Sequence, residues 1–269
     1  MNGKKPIGIF DTGIGGLTTV TELQKLLPGE DIVYFGDSAR NPYGNRPSDE
    51  IVEMTCQMLD FLKGNDVKAA GVACNTISTL LDRYAPKYDF TIVGVVTPVC
   101  EMIAKMDLPV VGVIATVATI ENGTYQSIIT RHSPNTRVLG EGAPILANLI
   151  DRGDFSQEPL DAEIRKHMDH MLADGPIGHV ILGCTHYPIV QENFERLYPS
   201  IEFINPAYEQ ALALRDMLTA QNGLNDRKDG GKFTVCTSGD PKVYADVCKR
   251  LDCKTPTELR VVKLGLPAV

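Results

Sequence analysis

The chain has 269 residues and a mass of 29.3 kDa, with 43% apolar and 22% charged residues. These proportions are ordinary for a globular protein and exclude a disordered chain, a collagen and a coiled coil; at ~150 residues per domain the length fits one large domain or two small ones. Lys and Arg total 26 against 34 Asp and Glu, giving a net charge of -8, so no nucleic-acid partner is expected, because phosphate backbones demand clustered cations.

Short β-branched runs alternate with longer stretches of helical spacing. In chain order, strands are expected at Ile7–Phe10, Ile32–Phe35, Ala69–Ala73, Ile92–Val96, Val110–Ile114, Arg137–Leu139, His179–Leu182, Glu202–Ile204, Lys232–Cys236 and Leu259–Val262. The stripe Ile51, Met54, Met58, Leu59 and Leu62 predicts a helix before the third strand; Ala211, Leu212, Leu214, Arg215 and Leu218 predict another after the eighth. Strands separated by helix-length segments imply parallel βαβ units, and near-continuous apolar strands imply sheets covered on both faces. The expected class is therefore α/β with mainly parallel sheets.

No run of ~18 apolar residues exists, so no membrane span is expected. The apolar stretch Ile7 to Phe10 is short and Asp11 interrupts it, unlike a signal peptide. A cytoplasmic protein is expected. The seven cysteines contain no CxxC pair, so free thiols are the default in a reducing compartment.

The sequence resembles itself. Gly8-Ile-Phe-Asp-Thr12 is similar to Gly112-Val-Ile-Ala-Thr116, and Ala73-Cys-Asn-Thr76 to Gly183-Cys-Thr-His186. Each follows an apolar strand. Two related α/β halves would face each other with a site between their strand C-termini, where open α/β sheets bind ligands. Boundaries are expected near Thr97-Pro98 and Asn205-Pro206. Residues 1–97 would form the first domain with residues 206–269, and residues 98–205 the second.

Cys74 and Cys184 each sit where a strand ends and a helix starts. A thiol at a helix N-terminus meets N–H donors and the positive end of the dipole, which favour thiolate. Asn75 or Thr76 is the expected N-cap after Cys74, and Pro188 fits a first helical turn after Cys184. His186, two residues from Cys184, could hold a proton or stabilise charge. Cys56, Cys100, Cys236, Cys248 and Cys253 lack such flanks and read as core thiols. His167 and His170 fall on one polar helical face and read as solvated rather than metal-binding. Asp11 opens a Gly-rich loop that fails the G-x-G-x-x-G dinucleotide spacing; it could cap the following helix. The loop Gly36 to Gly44 could clamp a small polar ligand.

Five motifs, Phe10-Asp-Thr-Gly-Ile-Gly-Gly16, Gly36-Asp-Ser-Ala-Arg40 with Pro42-Tyr-Gly44, Ala73-Cys-Asn-Thr76, Leu182-Gly-Cys-Thr-His-Tyr-Pro188 and Thr237-Ser-Gly-Asp-Pro241, run in order along nearly the whole chain. Together they resemble the glutamate racemase family of the aspartate/glutamate racemase superfamily. The resemblance implies two pseudo-symmetric α/β domains with the site in their cleft, and interconversion of L- and D-glutamate with no cofactor and no metal, supplying D-glutamate for peptidoglycan. It implies that Cys74 and Cys184 are the catalytic thiols, Cys74 taking the proton from D-glutamate and Cys184 from L-glutamate, with Asp11 and His186 as auxiliary groups. Thr12, Pro42, Tyr43, Gly44, Asn75, Thr76, Thr116, Thr119 and Thr185 match substrate-contacting positions. A homodimer is also implied. The chain departs from the pattern at Thr12, where Ser is frequent, at Ala143-Pro144, where Cys-Pro is common, at Asp151, aligned with an auxiliary Glu, and at Asn205, where Asp is frequent.

Racemisation removes a proton from one face of an α-carbon and returns one to the other, so two bases on opposite faces fit it. The developing carbanion must meet preorganised donors. Three other readings stay open at this level: an aspartate racemase or related isomerase, a ligand-binding protein on the same fold, and a thiol hydrolase using Cys184 with His186.

Overall fold

The computed structural model describes residues 2–44, 46–153, 155 and 157–265. All ten expected strands form, nine with shifted ends: β1 Ile7–Asp11, β2 Ile32–Gly36, β3 Ala69–Val72, β4 Thr91–Gly94, β5 Val110–Ala115, β6 Arg137–Gly142, β7 His179–Gly183, β8 Glu202–Ile204, β9 Phe233–Thr237 and β10 Glu258–Val261. The largest local departure is at β4. Val95 and Val96 were expected in the strand, but Val95 adopts right-handed helical angles and Val96 opens the helix Val96–Met106. Two β-branched residues look like strand, yet the backbone turns after Gly94 and the Val95 N–H donates to Val72 O at 3.1 Å. The two helical stripes lie on Ser48–Gly64 and Pro206–Ala220.

Every strand pair is parallel. One sheet has the order β10-β9-β2-β1-β3-β4 and the other β6-β5-β7-β8. The block β2-β1-β3-β4 therefore has the same order as β6-β5-β7-β8, so β1 corresponds to β5 and β3 to β7. That is the internal repeat expected from the paired motifs. The first sheet carries β9 and β10 as an addition at one edge. Central strands β1 and β3 are buried along their whole length, while edge strand β10 is exposed throughout, as the two-sided cover of parallel sheets requires.

The helix Pro206–Ala220 packs on Leu17–Leu26, on Val96–Met106 and on β4. Asn205 caps it, its Oδ1 accepting from the Ala207 N–H at 3.0 Å, with Pro206 at the first turn. Ala211, Leu214 and Leu218 are its buried stripe. Gln210, fully buried, accepts from the Thr19 hydroxyl and donates to Val72 O and Val93 O, so the amide leaves no orphaned atom inside. One apolar cluster joins both sheets, from Ile7 and Ile9 to Val180 and Leu182. No described helix is long and apolar enough to cross a membrane.

Gly15 packs directly against Thr185 of the other lobe. A Cβ there would lie 2.7 Å from the Thr185 Cβ and 2.8 Å from its carbonyl carbon. Gly15→Ala is therefore expected to lower unfolding stability by about 1–3 kcal/mol through overpacking. Urea denaturation measures this; an unchanged midpoint would show that the contact relaxes freely.

Candidate active site

Cys74 follows β3 and Cys184 follows β7, the corresponding strands of the two sheets. Both line one cleft of about 130 Å³, with Thr12, Asn41, Pro42, Tyr43, Gly44, Asn75, Thr76, Thr116, Thr185 and His186. These side chains come from loops at strand C-termini, where parallel sheets leave backbone N–H groups and helix starts pointing at a ligand. Among the described residues the cleft lining contains no Lys or Arg. An anionic ligand there would meet hydroxyls, amides and backbone donors.

Asp11, expected as an auxiliary group, and Thr119, expected as a substrate contact, both stand behind the wall rather than in it. Asp11 is fully buried; its Oδ1 accepts from the Gly13 N–H at 2.9 Å and its Oδ2 from the Thr185 hydroxyl at 3.0 Å. It therefore does not cap the next helix, which starts at Leu17 after Gly16. Thr119 is 1% exposed, its hydroxyl 2.9 Å from that of Thr116 and 3.2 Å from that of Thr76. It braces the two threonines that do line the cleft.

The loop after β2 is built around buried Asp37, which accepts from Arg40 Nε, the Tyr43 hydroxyl and Ser238 Oγ. Tyr43 lines the cleft while its hydroxyl is spent on Asp37, so that hydroxyl is not free for a ligand. The same bond gives the Thr237-Ser-Gly motif a role: Ser238 holds the loop from β9.

Neither Asn75 nor Thr76 caps the helix Asn75–Ser78. Cys74 itself occupies the N-cap, with no side-chain cap bond. The expected depression of its thiol does not hold either. Burial pushes the Cys74 thiol well up, the neighbouring Asp11 adds to this, and hydrogen bonds from Ile77 N–H and Thr12 only partly offset it. A short helix start is too weak to outweigh loss of water.

The Cys184 side is different. His186 Nδ1 stands 3.8 Å from Cys184 Sγ, and its Nε2 3.1 Å from Asp151 Oδ1. Burial opposes the charged ring, but the bonds to Asp151 and Cys184 win, holding the imidazolium well above its ordinary range. Burial likewise raises the Asp151 carboxyl, but its bonds from His186 and from Asn41 Nδ2, at 3.1 Å, bring it below the usual value. Asp11, lying deeper, is raised by burial despite His186 and three hydrogen bonds. One thiol is thus set beside a carboxylate and the other beside a cation.

Motif reading missed some of the wall. Asn41, Val117, Ala118, Pro144, Ala147 and Asn148 also line the cleft. Asn41 lies inside a quoted motif stretch and Pro144 is noted only as a departure from the family pattern; Ala147 and Asn148 sit on the helix Leu146–Asp151, of which only Asp151 is singled out. His167 is a correction. It is buried, not solvated, with Nδ1 2.6 Å from Glu141 Oε1 and Nε2 2.9 Å from Glu163 Oε1, while exposed His170 shares Glu141. A polar face can be buried when two carboxylates reach its ring. Among the described residues no group of three or more His, Cys, Asp or Glu is arranged to hold a metal ion. Of the remaining thiols, Cys100, Cys236 and Cys248 are buried and Cys56 and Cys253 half-buried.

Two parallel sheets that share a four-strand order, with one cysteine from each at a common cleft, define a two-lobed α/β protein with its candidate site between repeated halves. The family model for Asp/Glu/Hydantoin racemase matches residues 18–213. A glutamate racemase of Neisseria gonorrhoeae is 33% identical over 97% of this chain and 98% of its own length. A crystal structure of glutamate racemase from Francisella tularensis in complex with D-glutamate matches with a TM-score of 0.88 and 32% identity, covering 98% of this chain and 99% of that one. A glutamate racemase isoform from Bacillus anthracis gives a TM-score of 0.90 at 28% identity, again over 98% and 99% of the two chains. The chain belongs to the Asp/Glu/Hydantoin racemase family, and by class it is an amino-acid racemase, an isomerase.

Proposed function

We propose that the protein interconverts L- and D-glutamate by a two-base mechanism that uses no cofactor, and so supplies D-glutamate for peptidoglycan in the cytoplasm. The observation that carries this reading is the pair Cys74 and Cys184, offered to one cleft from corresponding strands of two repeated lobes. The lobe division assigned to it is residues 1–97 with 206–269, and 98–205.

In the L-to-D direction Cys184, as thiolate beside the His186 imidazolium, takes the α-proton. Cys74, kept protonated by burial and by Asp11, returns a proton to the opposite face. The bond from sulfur to hydrogen formed at Cys184 is matched by the one broken at Cys74. The reverse direction exchanges the roles. Thr12, Asn75, Thr76, Thr116 and Thr185 bind the carboxylates, and neutral donors held rigidly suit the carbanion better than mobile water does. Asp11 and His186 act through the thiols they adjoin. The reading as a thiol hydrolase leaves Cys74 idle.

Circular dichroism of L-glutamate and of L-aspartate, each incubated with the protein, tests activity and substrate together. Decay of the glutamate signal to zero is expected, with aspartate slower. In deuterated water, product carries label at the α-carbon while recovered substrate stays largely unlabelled at early times. Fast label in recovered substrate instead means that one base serves both faces.

A further inference from the structure

Three buried side-chain nitrogens lack a partner among the described residues: Gln24 Nε2, Arg40 Nη2 and Asn75 Nδ2. Of these residues only Asn75 lines the cleft. A buried amide N–H without an acceptor costs about 1–3 kcal/mol, so it marks a place where an acceptor arrives. The other end of the same amide is fixed from the opposite lobe. Tyr125, 3% exposed on the helix Thr124–His132, sets its hydroxyl 2.6 Å from Asn75 Oδ1. Among the described residues that hydroxyl makes no other hydrogen bond.

We infer that Tyr125 is a positioning residue for substrate binding: it holds the Asn75 amide from behind, so that Nδ2 donates to a carboxylate oxygen of the substrate. This deepens, and rests on, the glutamate reading above. The physical basis is the two-ended character of an amide. Its oxygen and nitrogen ends are close in shape, and the bonds at each end decide which way it faces. With a carboxylate at the cleft, the chain of donors runs one way, from Tyr125 O–H to Asn75 Oδ1 and from Asn75 Nδ2–H to the anion. Each bond polarises the next. Without the phenol, Asn75 Oδ1 is buried unpaired whenever Nδ2 faces the substrate. The amide then satisfies its oxygen only by turning it toward the cleft, where it repels the anion. The bond from Tyr125 also spans the two lobes.

The variant Tyr125→Phe keeps the ring and its packing. The two glutamate enantiomers have equal free energy in water, so kcat/KM falls by one shared factor in both directions. A residue that only orients a binding group raises KM and leaves kcat almost alone. The experiment measures both constants, in both directions, for wild type, Tyr125→Phe, Asn75→Ala and the double variant. Expected is a KM increase of about 5–20-fold for Tyr125→Phe, from one lost buried hydrogen bond, with kcat within about threefold. In the Asn75→Ala background the same change should move KM less than about twofold, because the partner is already gone. A KM unchanged by Tyr125→Phe, or one that multiplies independently with Asn75→Ala, overturns the inference while leaving the racemase reading intact. Wild type that fails to racemise glutamate overturns both.

Discussion

Replacing either cleft cysteine by alanine is expected to reduce glutamate racemisation by about 10²–10⁴-fold, the usual worth of a positioned acid or base. The two losses should be alike in kcat/KM, since both proton transfers lie on one path. They should differ in what remains. Cys74→Ala keeps Cys184, which can still take the α-proton of L-glutamate and return a solvent deuteron to the same face. L-Glutamate then gains α-deuterium without D-glutamate appearing. Cys184→Ala should do the same with D-glutamate only. Proton NMR of each enantiomer in deuterated water reads both outcomes. Near-normal inversion by either variant would falsify the two-base reading. Exchange of the wrong enantiomer would reverse the faces assigned to the thiols. Neither variant should fail to fold, because each thiol is small and its removal leaves only a minor cavity.

The second large effect belongs to the line from Asp151 through His186 to Cys184. His186→Ala is expected to lower kcat by about 10–100-fold, the value of a charge-assisted hydrogen bond lost from a buried site. Asp151→Asn tests the cause through pH. Asp151 helps hold the His186 ring charged above its ordinary range. A raised imidazolium is present at low pH and is lost as pH rises through its folded value, so activity that needs it has an alkaline limb. Asn in place of Asp151 removes the anion and weakens that hold, so the limb of kcat/KM should move to lower pH. A profile of unchanged position means that the ring is orienting rather than charge-bearing. Asn41, which bonds Asp151 from the other lobe at 3.1 Å, anchors this line across the cleft.

The departures from the family pattern do not interrupt this arrangement. Asp151 is shorter than the Glu aligned with it, yet it reaches His186. Asn205 replaces a frequent Asp but still caps its helix. Pro144 lines the cleft without a preceding thiol, since Ala143 is 1% exposed and packs in the core.

Strand positions were legible because their cause is local. Runs such as Ile7–Phe10 and Val110–Ile114 are apolar on both faces, which only a covered parallel strand satisfies. The repeat of strand order and the placing of both cysteines after corresponding strands were legible for the same reason: related sequence carries related local structure. The amino-acid sequence therefore determined the α/β class, the two-lobed repeat and the loops that form the cleft.

Tertiary packing decided which of those residues face a ligand. Asp11 and Thr119 lie behind the wall, Tyr43 turns its hydroxyl to Asp37, and His167 is enclosed by two carboxylates. It decided the surroundings of each thiol as well. A helix start favours thiolate, but water lost around Cys74 outweighs it, whereas Cys184 lies beside a ring that Asp151 keeps charged. Burial and ionisation are set by groups far apart in the chain, such as Asp151 with Asn41 and Tyr125 with Asn75, and no window of sequence contains both partners.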